Sequence, residues 1–122
     1  MASGTIKKYA DGADSSWIEL TDTRIIGKLV YRKIGDIFQI KSNGWTKLAE
    51  DLPSGATRII ANIPDDGYRP GIMIGLVYIN AVGIGVFKIE SGNIAILNCL
   101  SQTMIGGSSG NQFMINTTGF FA

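Results

Sequence analysis

From Trp17 onward the chain repeats one pattern. Runs of about 4–8 residues, in which apolar and polar positions alternate, are separated by breaks rich in Gly, Asn, Asp and Pro. Trp17-Ile18-Glu19-Leu20 is the first run, and Ile25 to Lys33 the second, with Lys28, Val30 and Arg32 on one face and Leu29 and Tyr31 on the other. Gly35-Asp36 turns the chain into Ile37 to Lys41, where Phe38 and Ile40 share a face. Ser42-Asn43-Gly44 then reads as a hairpin loop into Trp45 to Leu48, and Trp45 is expected to pack as a core residue in that arm. Thr57 to Ile63 forms a further strand that Pro64 ends, because proline has no amide hydrogen for a ladder.

Two stretches depart from simple alternation. Ile72 to Ile79 is apolar almost throughout, which predicts a strand covered on both faces, in a sandwich core or a subunit interface. Val86 to Leu97 is the clearest hairpin. With Ser91-Gly92 as a two-residue loop, Glu90 pairs with Asn93, Ile89 with Ile94 and Phe87 with Ile96. Phe87, Ile89, Ile94 and Ile96 then share the apolar face, and a one-residue slip would expose all four. Gly106 to Asn111 reads as a flexible loop, Gln112 to Thr117 as the last strand, and Phe120-Phe121 as an apolar end that packs on the core or a subunit contact. No segment keeps helical periodicity over three turns. The pattern therefore predicts an all-β, two-layer antiparallel β-sandwich of about eight or nine strands, jelly-roll-like, over residues 17–122. Residues 1–16 read as a polar lead-in or linker to an upstream shaft.

Composition narrows the function classes. The chain has 122 residues, 45% of them hydrophobic, which suits one domain with a real core. A net charge of +1 gives no electrostatic case for nucleic acid, and no apolar run is long enough to predict membrane insertion. There is no histidine, which removes the Ser-His-Asp and Cys-His arrangements and the usual zinc sites. Cys99 is the only cysteine and is expected to be a buried thiol beside Ile96, Leu97 and Leu100. Asp11 and Asp14 do not have calcium-loop spacing, and Gly106 to Gly110 lacks a phosphate-loop pattern. Asp65-Asp66 is the best carboxylate pair and reads first as a solvated turn. The expectation is a non-enzymatic protein with no cofactor and no metal. By side-chain type and loop position, Tyr78, Asn80, Asp65, Asp66, Gln102 and Asn111 are the candidate ligand contacts, and Arg69 reads as a positioning hydrogen-bond donor.

Gly44-Trp45-Thr46-Lys47-Leu48, then Leu52-Pro53, then Gly67-Tyr68-Arg69-Pro70, an apolar strand, and the 86–94 hairpin come in a distinctive order. This order resembles the C-terminal receptor-binding head domains of tail-fibre and baseplate proteins from phages and prophages of Gram-positive hosts. The chain differs in the segment Ser54 to Asp66, which adds a strand-like run between the Leu-Pro and Tyr-Arg-Pro motifs. The resemblance implies a β-sandwich head that acts as a homotrimer at the virion's tail tip or baseplate, joined to an upstream fibre or baseplate protein. It also implies recognition of a host cell-surface glycan outside the cell. The alternative is a structural trimerisation or capping domain without its own ligand.

Overall fold

The structure, a computed structural model, describes residues 16–121. Of the lead-in at 1–16, residues 1–15, with Asp11 and Asp14, lie outside the described residues. Ten strands form: β1 (Ile18–Leu20), β2 (Ile25–Ile26), β3 (Leu29–Ile34), β4 (Ile37–Ser42), β5 (Thr46–Leu48), β6 (Thr57–Asn62), β7 (Met73–Ile79), β8 (Gly83–Glu90), β9 (Asn93–Leu97) and β10 (Gln112–Phe120). The second sequence run divides into β2 and β3 because Gly27 takes a φ of +95°, a left-handed conformation that breaks a ladder. One 3-10 turn, Asp66–Tyr68, is the only helical element among the described residues.

The strands make two antiparallel layers that share β10. The small sheet runs β1-β3-β4-β10 through Asn116–Phe120, and the large one runs β5-β10-β7-β8-β9-β6, with β2 outside β5, through Gln112–Ile115. Within the large sheet, β7, β8 and β9 form a meander and β6 lies beside β9. This is a Greek key, the unit from which jelly rolls are built. Inward-facing residues of both layers form one core, with Leu29, Phe38 and Ile40 from the small sheet meeting Val77, Phe87, Ile89, Ile96 and Phe113 from the large one. The 86–97 hairpin has the predicted register, with Glu90 on Asn93, Ile89 on Ile94 and Phe87 on Ile96. Ser91 and Gly92 both take positive φ (54° and 79°), as a tight two-residue turn requires.

The expected hairpin at Ser42-Asn43-Gly44 does not form. β4 and β5 both run antiparallel to β10 and so point the same way. The chain turns a corner from one layer to the other. Two hydroxyls explain why this corner holds. Where β10 changes sheets, Thr46 Oγ1 donates to the Phe113 carbonyl (3.0 Å) and the Ile115 amide donates to Ser42 Oγ (3.1 Å), with Ser42 Oγ 3.4 Å from Thr46 Oγ1. Both residues are buried, and they satisfy backbone groups that leave one ladder before joining the next. Close approach of β7 to β10 is also needed here. A Cβ on Gly75 would sit 2.5 Å from the Phe87 ring and 2.8 Å from Thr117 Oγ1.

One other expectation is narrowed and two are corrected. The run Ile72 to Ile79 is covered on one face only in a single chain: Met73, Val77 and Ile79 are buried, whereas Ile72, Ile74, Leu76 and Tyr78 are exposed. Cys99 is exposed because β9 ends at Leu97 and the buried position falls to Asn98. Gly106 to Asn111 is tied down by bonds from the Gly106 amide to Asp51 Oδ1 (2.8 Å), the Gly107 amide to the Leu48 carbonyl (2.8 Å) and Lys47 Nζ to the Ser108 carbonyl (2.5 Å). The terminal pair divides by strand alternation. Phe121 packs edge-on against Phe38, with centroids 5.9 Å apart, and Phe120 points to solvent.

Thr46→Val keeps the side chain's shape but removes the donor to Phe113. It is expected to lower unfolding free energy by about 1–3 kcal/mol in urea titration. Ser42→Ala, which orphans the Ile115 amide, is expected to cost a similar amount.

Candidate functional site

The six candidate residues lie at opposite ends of the sandwich. β7 runs between them, ~20 Å for a seven-residue strand, from Met73 opposite Ile89 to Ile79 opposite Gly83.

Asp65 and Asp66 sit at the end that holds the Ser91-Gly92 turn. Asp65 caps the 3-10 turn by accepting from the Gly67 amide (2.8 Å), and Asp66 pairs with Arg69. Arg69 Nε donates to the Ile63 carbonyl (2.9 Å), and its side chain lies across the Cα of Gly92. The Ile63 amide in turn donates to the Gly92 carbonyl (2.8 Å). Arg69 therefore joins the end of β6 to the β8–β9 turn, the positioning role its place before Pro70 suggested. Tyr68 packs edge-on against Tyr31 (5.9 Å), which stacks on Phe38 (6.1 Å). Burial, with the Asp65 charge and Tyr68 adding, holds the Tyr31 phenol above its ordinary pKa.

Tyr78, Asn80, Gln102 and Asn111 lie at the other end. Asn111 is engaged in holding the loops, since its Oδ1 accepts from the Ile105 amide (2.8 Å) and its Nδ2 donates to the Asn80 carbonyl (3.3 Å). Asn98, which the sequence reading missed, does the same from a buried position. Its Nδ2 donates to the Leu52 and Gln102 carbonyls (2.9 and 2.8 Å), and its Oδ1 accepts from the Leu100 amide (3.1 Å). The exposed side-chain amides of Asn80 and Gln102 make no hydrogen bond to the described residues.

Tyr78 has a partner that the sequence reading placed in the core. Trp45 is 44% exposed, and its ring centroid lies 5.9 Å from that of Tyr78 at a 49° tilt. A positive-φ Gly44 directly before the Trp suits a hairpin loop and a corner alike, so the sequence carried no signal for this placement. Two half-exposed aromatic rings present flat apolar faces at the end of the sandwich that also carries the exposed amides of Asn80 and Gln102, which are both hydrogen-bond donors and acceptors.

A concavity of about 330 Å³ lies where the curled large sheet brings its two edges together. Thr23, Arg24, Ala49, Glu50 and Arg58 line it. Arg24 is held by Asp22 (Nε to Oδ1, 2.8 Å) and reaches Asn62 on β6, and Arg58 donates to the Glu50 and Asp51 carbonyls. These bonds close a seam that no backbone ladder crosses. The Arg24 hydrogen bonds hold the Asp22 carboxyl below its ordinary pKa, against the opposing effect of burial.

No protein-family model matches the chain, and no curated protein matches it by sequence. Its fold is similar to the crystal structure of the head domain of phage bIL170, which is described among the receptor-binding domains of lactococcal phages. The TM-score is 0.73 over 89% of this chain and 100% of that one, at 13% sequence identity. The fold is thus that of a phage receptor-binding head domain, and the likeness at this identity is one of fold.

Arg69→Ala removes the bond to Ile63 and the cover over Gly92, and is expected to cost about 1–3 kcal/mol. Asp66→Asn, at an exposed ion pair, is expected to cost under about 1 kcal/mol. Denaturant midpoints compare the two. Because Asp22 has a lowered pKa, its contribution to stability is present above its ordinary value of ~3.9 and is lost as pH falls through the lower folded-state value. Asp22→Asn is expected to flatten the acid limb of the midpoint-against-pH curve, and unchanged curves would remove the ion pair from the seam's stability.

Proposed function

We propose that this chain is the receptor-binding head of a phage tail or baseplate, a non-enzymatic module that recognises a bacterial cell-surface saccharide as a homotrimer. The observation that carries this reading is the fold, which matches a phage receptor-binding head domain over that domain's whole length. The chemistry of the Trp45–Tyr78 end supports the saccharide. An aromatic face stacks on the apolar face of a sugar ring, and the amides of Asn80 and Gln102 can exchange hydrogen bonds with its hydroxyls. Asn111 acts by holding the loop, and Asp65 and Asp66 act at the other end as parts of a structural turn. In this reading the head works outside the host cell, at the virion's tail tip, joined to a fibre or baseplate protein through its N-terminal side.

The test is adsorption of the labelled chain to cell-wall fractions of Gram-positive bacteria, followed by a glycan array. Trp45→Ala is expected to weaken binding about tenfold or more, the equivalent of 1.4 kcal/mol, with the unfolding midpoint retained. Wild-type protein that binds no wall fraction would favour the alternative, a structural trimerisation domain with no ligand of its own.

A further inference from the structure

The outer face of the large sheet is unusually apolar for a surface. On β7, Ile74 is 68% exposed and Leu76 65%, with Ile72 ahead of the strand and Tyr78 at its end. The register sets Ile84 of β8 and Met114 of β10 on either side of Tyr78, and both are exposed. Together these six side chains present roughly 600 Å² of contiguous apolar surface, at the upper limit of the ~300–600 Å² of a monomer's largest patch. A stable contact between subunits takes about 800 Å² from each partner, so this face supplies most of one.

The face also has relief. Ile74 and Leu76 project from β7, and Ile74 also forms one wall of a groove of about 340 Å³ over the small side chain of Ala95, whose other walls are Thr57, Val86, Lys88 and Leu97. The one charge in the wall, Lys88, is paired with Glu90 at 2.8 Å, so filling the groove strands no lone ammonium. The ridge and the groove share Ile74 as a border, but the Leu76 crest and the Ala95 floor are different surfaces. When one fits the other, the contact is heterologous, and such contacts close into rings if the rotation allows.

We propose that this face is where copies of the chain meet, with the β7 ridge of one copy seated in the Ala95 groove of the next, closing a ring of three. The inference rests on the homotrimer reading above and adds which surface makes the contact and in what manner. It places Tyr78 where the apolar ridge ends and the Trp45 corner begins, at the edge of the subunit contact.

The test is mass by light scattering of the full chain at micromolar concentration, beside Leu76→Lys on the ridge and Ala95→Arg in the groove. Both positions face away from the core, and unfolding midpoints check that each variant folds. Wild type is expected at three times 13.1 kDa and each folded variant at one chain. A wild type of three chains whose two folded variants both stay at three overturns this face and leaves the trimer standing. A two-chain wild type overturns the ridge-in-groove ring. A monomeric wild type overturns the trimer and this inference together, while wall adsorption separately judges the receptor reading.

Discussion

The two-layer fold depends on one strand serving both sheets. β10 leaves the large sheet after Ile115 and enters the small one at Asn116, and at that step its backbone polar groups would be orphaned in the core. The hydroxyls of Ser42 and Thr46 fill the gap. These two residues flank the corner where the β4–β5 segment makes the same crossing, so one small polar cluster secures both crossovers. A buried polar group is costly when left unpaired and specific when satisfied, which is why the crossing occurs at this position and not a residue or two away.

With the crossover secured, the two ends of the sandwich diverge in character. One is closed by side chains that bond inward, namely Arg69 on Ile63 and Gly92, Asp65 on Gly67, and the aromatic series Tyr68, Tyr31, Phe38 and Phe121. The other is held by Asn98 and Asn111 working on loop backbone, which leaves Trp45, Tyr78, Asn80 and Gln102 facing outward. Rigid loops with outward aromatics are suited to recognition, because little ordering entropy remains to be lost on binding.

Much of this was legible along the chain. The strand periods, the 86–97 register and the role of Arg69 follow from local rules: alternation, a two-residue turn and a proline that ends a run. The candidate site was legible only in part. Tyr78 and Asn80 could be placed at a strand end, but Trp45 was assigned to the core, and Asp65 and Asp66 were grouped with residues a strand's length away. Those assignments depend on which strands become neighbours, and periodicity carries no information about that.

The sequence by itself determined an all-β sandwich, the inward face of most strands and the tightest hairpin, because alternation and turn chemistry act between residues close in the chain. The tertiary structure alone decided that Ser42-Asn43-Gly44 is a corner, that β10 is shared and that the outer face of β7 stays uncovered within one chain. Each of these rests on contacts between residues far apart in sequence. Ser42 meets Ile115, Thr46 meets Phe113 and Gly75 approaches Thr117, and such partners are selected by packing and by the satisfaction of buried polar groups, not by local propensity.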